Sequence, residues 1–427
     1  MARLGAFCFP GSGHINPMTA LARALEQRGH SVVIFGIADV AARVRAAGIE
    51  FHQIGAPEFP LGTLKTLDDH LSQLSGLAAF QYTIKRVMDT GRMVFRDAPS
   101  AVLAERVDAL LIDEADMSGT VAEHLKIAFV SVAIVPPMNH GDQLPPFYFG
   151  WKAGQDRLSR LRNRLAMRLI SRFGKPISDL VNRQRAEWGL KPFTGIGDAL
   201  SPIAQIAQLP EVLEFELAPH RRELFFTGPW VNPAQRPAIE FPWRLLDGRR
   251  LVYASLGTLQ NGSESVFHAI AQACADLPVQ LIISLGGGLK PEQLGILAGD
   301  PIVVPFAPQL EILKRADAVI THAGINTVLE SLTEGVPLVA IPMANDQPGV
   351  AARVKARGAG VVVPRRKLSA SRLRRAVRLV LDDPSFRTRA QELGRAIRQI
   401  DGPAMAAEII ERSLKLSSVS RTTQPVG

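Results

Sequence analysis

Cysteine is scarce: Cys8 and Cys274 are the only two in 427 residues, and both sit in apolar stretches. Two thiols cannot staple a chain of this length, so a hydrophobic core must hold it, and a reducing cytoplasm is the expected setting. No uninterrupted apolar run approaches the roughly 18 residues that cross a bilayer. The N-terminal apolar stretch 4–10 is too short for a secretory signal core. The nine histidines include no His-x-x-x-His, there is no Cys-x-x-Cys, and no Asp-x-Asp closes a strand, so no metal is expected. Acid is outnumbered: 49 Lys plus Arg face 40 Asp plus Glu, a net charge of +9. That excess suits an anionic ligand or an anionic surface without choosing between them. With 47% hydrophobic and 21% charged residues the chain is globular, and its length predicts two or three domains. A soluble or peripheral intracellular protein is expected.

Short β-branched apolar runs alternate with helical patterns, which predicts an α/β fold with parallel sheets. In the first half the runs are 4–9, 31–36, 108–113 and 129–133. In the second they are 251–255, 280–285, 302–306, 318–321, 337–341 and 360–363, one strand-helix unit per roughly 20 to 35 residues, the rhythm of a doubly wound domain. Between the halves, Pro229, Pro233, Pro237 and Pro242 can continue neither a helix nor a central strand, and mark a linker. The expected organisation is a first Rossmann-like lobe at 1–228, a linker at 229–248 and a second Rossmann-like lobe at 249–400. A helix at 401–415 is expected to pack back on the first lobe, followed by a flexible tail at 416–427. Two such lobes leave a cleft between them, facing the carboxyl ends of both sheets.

The loop after the first strand reads Pro10-Gly11-Ser12-Gly13-His14-Ile15-Asn16-Pro17. Asn16 suits an N-cap and Pro17 a first helical residue, because proline lacks only an N–H that would be orphaned there. The glycines allow a tight turn that presents His14 at the mouth of the cleft. A P-loop is excluded because no Gly-Lys-Ser/Thr follows. A dinucleotide fingerprint would want a third glycine where Asn16 stands, although Asp39 could imitate its ribose acid, so a nicotinamide dehydrogenase stays as an alternative. The third reading is a positioned catalytic histidine.

In the second half, Phe306-Ala307-Pro308-Gln309 ends one strand, and Thr321-His322-Ala323-Gly324-Ile325-Asn326-Thr327-Val328-Leu329-Glu330 follows another and opens a helix. Gly335-Val336-Pro337 and Asn345-Asp346-Gln347-Pro348 come next. This order resembles the donor-site signature of inverting UDP-glycosyltransferases, which have the two-lobed GT-B architecture. The resemblance implies that His322, Thr258 and the helix end at Asn326 and Thr327 receive a diphosphate, with Gly324 allowing close backbone approach. It further implies that Glu330 accepts the ribose hydroxyls, that Gln309 makes a ribose or base contact, and that Asp346 with Gln347 holds sugar hydroxyls. Phe306 stands where plant members carry the tryptophan that stacks on uracil, and the interval from Phe306 to His322 is shorter by about two residues, as in bacterial members. UDP is thereby favoured over TDP.

By the same resemblance His14 is the catalytic base and Asp113, delivered by the apolar run 109–112, its acid partner. Asp113-Glu114-Ala115-Asp116 also spells a helicase box, a coincidence with no P-loop upstream. The implied chemistry is a single displacement: His14 takes the proton of an acceptor hydroxyl as its oxygen attacks the anomeric carbon, and an α-linked donor sugar becomes a β-glycoside. No cofactor is implied; the UDP-sugar is a co-substrate.

Through both lobes, in Ser201-Pro202-Ile203-Ala204-Gln205-Ile206, Ser255-Leu256-Gly257-Thr258-Leu259-Gln260 and Asp346-Gln347-Pro348-Gly349-Val350-Ala351, the chain resembles bacterial carotenoid (zeaxanthin) glucosyltransferases. A hydroxylated carotenoid is the acceptor this implies. A macrolide, sterol or phenolic acceptor is the alternative, and a catalytically inactive nucleotide-sugar-binding partner of another transferase is an alternative of another class. Loops carrying Pro137, Met138, Phe147 and Phe149 read as the lining of an apolar acceptor groove. Residues 152–175 hold eight basic side chains against Asp156, or +7. Leu158, Leu161, Leu165 and Leu169 share one helical face there, with Arg160, Arg164 and Arg168 beside it. Two readings stay open: a helix lying on an anionic membrane, or a solvated basic helix packed by its leucines on the first lobe. No nucleic-acid partner is expected.

Overall fold

A computed structural model describes residues 1–74, 76–138, 142–216, 223–233, 236, 238–258 and 262–416. Two parallel sheets form the frame. The first contains β1 (Arg3–Phe7), β2 (Ser31–Gly36), β3 (Glu50–Gln53), β4 (Ala109–Asp113), β5 (Ala128–Ala133), β6 (Gln205–Ala207) and β7 (Leu224–Phe226), in the order β3-β2-β1-β4-β5-β6-β7. The second contains β8 (Arg250–Ser255), β9 (Val279–Ser284), β10 (Ile302–Val304), β11 (Ala318–Thr321), β12 (Leu338–Ala340) and β13 (Gly360–Val362), in the order β10-β9-β8-β11-β12-β13. The central strands are buried on both faces, as residues 109–113 and 279–284 show. This is the pattern expected when helices cover both sides of a parallel sheet. Strand order reverses between β1 and β4 in one sheet and between β8 and β11 in the other. Ligands of such sheets bind at these switch points, beyond the carboxyl ends of the strands.

The edge strands β3 and β7, and β6 beside β7, have no counterpart in the apolar runs of the sequence. β3 is Glu-Phe-His-Gln, half-exposed, while β6 and β7 span three residues each. The start of the first helix also differs from the sequence expectation. It runs Ser12–Gln27 with Gly11 at its N-cap, so Asn16 and Pro17 lie inside it. The Gly11 carbonyl accepts the N–H groups of both His14 and Ile15 at 2.9 Å, starting the helix one turn early. Pro17 is tolerated there because only one carbonyl, that of Gly13, loses its helical donor.

The chain crosses between lobes twice, at the same place. A Cβ on Gly402 would lie 2.5 Å from the Pro229 carbonyl oxygen, and one on Gly228 would meet Ile400. After the second crossing the helix Gly402–Leu414 packs on the Ser12–Gln27 helix, burying Ala406, Ala407, Ile409 and Ile410 in the first lobe. Its Glu411 accepts from Arg28 at 2.6 Å and pairs with His30 at 2.9 Å. Of the tail expected at 416–427, all but Leu416 lies outside the described residues. Among the described residues no helix is long and apolar enough to cross a membrane.

A second tie is ionic. Glu214 of the first lobe and Arg353 of the second form a two-pronged pair at 2.8 and 3.0 Å, both side chains 1% exposed, with the Arg353 guanidinium over the Phe215 ring. Removing one partner from such a pair strands a buried charge, at a cost of about 3–5 kcal/mol. Arg353→Ala is therefore expected to lower the thermal midpoint by several degrees in calorimetry, and Glu214→Ala to do the same. An unchanged midpoint in either variant would show that water reaches the pair.

Candidate active site

A continuous cleft of about 2730 Å³ runs between the lobes. Both switch points open into it. From the first lobe come His14, in the first turn after β1, and the end of β4 at Asp113. Asp113 is fully buried, and its Oδ2 lies 2.6 Å from His14 Nδ1 and accepts the Phe9 N–H at 3.2 Å. Its Oδ1 accepts the Ala115 N–H at 3.0 Å. With Nδ1 committed to the carboxylate, the His14 Nε2 is left for the cleft. Burial works against a charged imidazole here, but the Asp113 charge, the hydrogen bond to it and the more distant charge of Asp346 outweigh it. The His14 pKa is therefore raised above 6.5.

From the second lobe come Thr258, after β8, and the β11 loop with its helix Ile325–Thr333. His322 packs between two glycines: a Cβ on Gly324 or on Gly257 would overlap its ring, and Gly257 has φ +74°. Side chains other than glycine are thus excluded on both sides of this imidazole. Burial pushes the His322 pKa down to about 4, against a hydrogen bond with the Ser255 backbone. The ring is therefore neutral near pH 7. The free N–H groups of the first helical turn, at Ile325, Asn326 and Thr327, sit beside it.

The Asn326 side chain, however, is spent on the other lobe. Its Nδ2 donates to the Gly13 carbonyl at 2.8 Å, and its Oδ1 accepts from Gln208 at 3.1 Å. The Gly13 carbonyl is the one that Pro17 leaves without a helical donor. Ser12 and Thr258 also meet across the cleft, hydroxyl to hydroxyl at 2.8 Å.

Further along, Glu330 is buried to 1% side-chain exposure, and burial raises its pKa. It accepts from Gln309 Nε2 at 2.6 Å and is paired with Arg236 of the linker. The Gln309 Oε1 accepts in turn from the Tyr253 hydroxyl at 3.1 Å, so this glutamine has both ends engaged and orients the carboxylate. Phe306 lies past the end of β10, with the tip of its ring against Gly287 and half its surface exposed in the cleft. Asp346 caps the Gln347–Ala356 helix, and burial lifts its pKa to about 6, against the charges of His14 and Arg353. Gln347 also lines the cleft, while its Oε1 accepts the N–H groups of Met343 and Ala344 at 2.8 and 3.0 Å and shapes that loop.

On the first-lobe side the cleft is largely apolar, lined among others by Phe35, Phe59, Met93, Met117, Ile177 and Phe193, with Arg43, Asp68 and Arg86 as charged members of its wall. Of the four side chains expected there, Met138 and Phe147 line it and two do not. Phe149 stacks on Trp151, ring centroids 4.2 Å apart, and Pro137 faces a small side cavity with Leu144 and Pro146. Sequence reasoning passed over Glu114 and Asp116, which line the same space. Burial raises the Glu114 pKa to about 7, against donors from Met138 N–H and Gln205, and that of Asp116 to about 6. Their signal was the run Asp113–Asp116 at a strand end. Arg236 was missed as well, one cation inside a proline-rich linker.

The comparisons with known proteins agree with this geometry. Residues 245–402 match the family described as UDP-glucoronosyl and UDP-glucosyl transferase, and residues 11–138 match the glycosyltransferase family 28 N-terminal domain. The chain is 30% identical to a zeaxanthin glucosyltransferase of Pantoea ananas, over 100% of this chain and 98% of that one. It is 29% identical to a zeaxanthin glucosyltransferase of Pseudescherichia vulneris, over 95% and 96%. Among solved structures, the calicheamicin glycosyltransferase CalG4 superposes with a TM-score of 0.73 at 23% identity, over 99% of this chain and 100% of that one. Full-length identity, the two family matches and the paired switch-point sites converge: the chain belongs to the UDP-glucoronosyl and UDP-glucosyl transferase family, and is a glycosyltransferase of GT-B fold that takes its sugar from a nucleotide sugar.

Proposed function

We propose that this enzyme transfers glucose from UDP-glucose to a hydroxyl of a lipophilic small molecule, a hydroxylated carotenoid in the first instance, with inversion to a β-glycoside. The carrying observation is the His14–Asp113 pair facing, across one cleft, the His322 ring and the free N–H groups of the helix that begins at Ile325. The cleft has an apolar half on the side of His14, which suits a long hydrocarbon acceptor better than a sugar or peptide. Full-length likeness to two zeaxanthin glucosyltransferases supports the same acceptor class.

In the proposed step His14 Nε2 removes the acceptor proton as the oxygen attacks the anomeric carbon, and the C–O bond to the diphosphate breaks. Asp113 fixes the tautomer and stabilises the imidazolium. The diphosphate leaves carrying the bonding electron pair, and the helix-end N–H groups, His322 and Thr258 receive its charge. Glu330, oriented by Gln309, takes the ribose hydroxyls, Phe306 stacks on the base, and Asp346 with Gln347 meets the sugar. No step calls for a metal ion or a cofactor.

Two outcomes test this reading. Incubated with UDP-glucose and a dihydroxylated carotenoid, the enzyme should yield glucoside masses by mass spectrometry. His14→Ala should lower turnover by about 10²–10⁴-fold while UDP still binds in calorimetry; activity indifferent to that change would refute the base. The second outcome is the pH profile. The neutral imidazole is the base, so kcat/KM should fall as pH drops through the raised His14 pKa, placing the acid limb above pH 6.5. Asp113→Asn removes the charge that raises this pKa and leaves the burial that lowers it. The limb should then move to lower pH as turnover falls, and a limb that stays in place would assign it to another group.

A further inference from the structure

The helix Arg157–Phe173 begins at Asp156, whose carboxylate accepts the Ser159 N–H at 2.9 Å. It has three differently occupied sides. One faces the protein: Asn163 and Ala166 are buried, and Met167, Ile170 and Phe173 reach the cleft. A second carries Leu158, Leu161, Leu165 and Leu169, which are 47% to 77% exposed. Packing of these leucines on the first lobe, one of the two readings open from the sequence, is therefore not what the fold does. The inward side is already taken by Asn163, Ala166, Met167, Ile170 and Phe173, so the leucines are left outside. The third side is cationic, with Arg157, Arg160, Arg164 and Arg168, of which Arg164 pairs with Asp142 at 3.3 Å. Arg172 falls within the leucine stripe and Arg162 at its other flank, where it lies over the Trp151 ring and donates to the Lys152 carbonyl. Arg157, Arg160, Arg168 and Arg172 meet no carboxylate among the described residues.

We propose that this leucine stripe and its arginines form a docking surface for an anionic lipid bilayer, with the helix lying in the plane of the interface. An exposed apolar stripe beside unpaired cations is what an interfacial helix needs: leucines enter the acyl boundary and arginines stay at the headgroups. A second copy of the chain is a poor occupant, because a two-fold contact would set one +7 segment against another. The placement also has a use. The same helix is a wall of the apolar half of the cleft, so its outer side rests on lipid while its inner side meets the acceptor. A lipophilic acceptor then passes from bilayer to cleft around a single helix without crossing water. This last clause rests on the acceptor class proposed above; the docking surface does not.

The test is co-sedimentation of the full chain with vesicles of phosphatidylglycerol and phosphatidylcholine, against vesicles of phosphatidylcholine alone. Retention is expected on the anionic vesicles only, weakening as salt rises. Each cation near such a surface is worth about a fivefold gain in partitioning. The double variant Arg160→Glu with Arg168→Glu should therefore bind at least about tenfold more weakly, and Leu161→Ser with Leu165→Ser should weaken retention as well. Both should keep the wild-type melting midpoint and its rate on a water-soluble phenol. Should the leucine variant unfold, the arginine variant carries the test alone. No retention, retention equal on neutral vesicles, or retention indifferent to the arginine reversals would overturn the proposal. So would a leucine-dependent dimer in sedimentation velocity with no vesicle binding. Vesicle binding without carotenoid glucosylation would sink the acceptor assignment and leave the docking surface standing.

Discussion

The arrangement depends on one buried carboxylate. Asp113 ends a strand that is inaccessible along its whole length, so its charge is taken from water and must be met by protein. Two backbone N–H groups and the His14 Nδ1 meet it. These contacts leave the imidazole little choice of tautomer or orientation, since only Nε2 remains for the cleft. Parallel topology makes the meeting possible. β1 and β4 are neighbours although about a hundred residues separate them, because the strands that follow β1 in sequence are laid on its other side. A carboxylate at the end of one and a histidine in the turn after the other are thereby within one hydrogen bond.

The opposite lobe repeats the topology with different chemistry. Its switch point offers a neutral imidazole, a hydroxyl and a helix end, groups that cost little to leave empty and gain from an incoming anion. His322 illustrates the trade. Burial between Gly257 and Gly324 keeps it uncharged, so no unpaired cation is buried there. Asp346, in the same cleft as His14, is itself held near pH 6 by burial.

Legibility from sequence followed burial. All six strands of the second sheet were visible as apolar runs: the four inner ones are largely enclosed, and the half-buried edges β10 and β13 are still built of Ile, Val and Gly. In the first sheet the central strands were equally visible, whereas Glu50–Gln53 is polar at both ends and half-exposed, and β6 opens on Gln205 rather than on an apolar residue. The motif residues were legible as members of a signature, but not their partners. Nothing local in the sequence tells that Asn326 reaches Gly13, or that Arg236 reaches Glu330, since these contacts span 313 and 94 residues. The capping rules misplaced the first helix start for a related reason. Asn16 and Pro17 satisfy those rules locally, yet Gly11 captures two N–H groups earlier in the chain and the helix starts there.

That misplacement is itself informative about how the lobes are joined. A proline six residues into a helix costs one hydrogen bond, and here the orphaned acceptor is the Gly13 carbonyl. Asn326 supplies the missing donor from the other lobe. The turn that carries His14 is therefore tied directly to the helix end that faces the proposed diphosphate, and Ser12 with Thr258 adds a second tie within the same few residues. Any hinge motion that parted the lobes here would take the Asn326 donor away from the Gly13 carbonyl. The Glu214–Arg353 pair resists the same opening from the other end of the interface. The backbone that sets the imidazole is thus also the backbone that the second lobe holds.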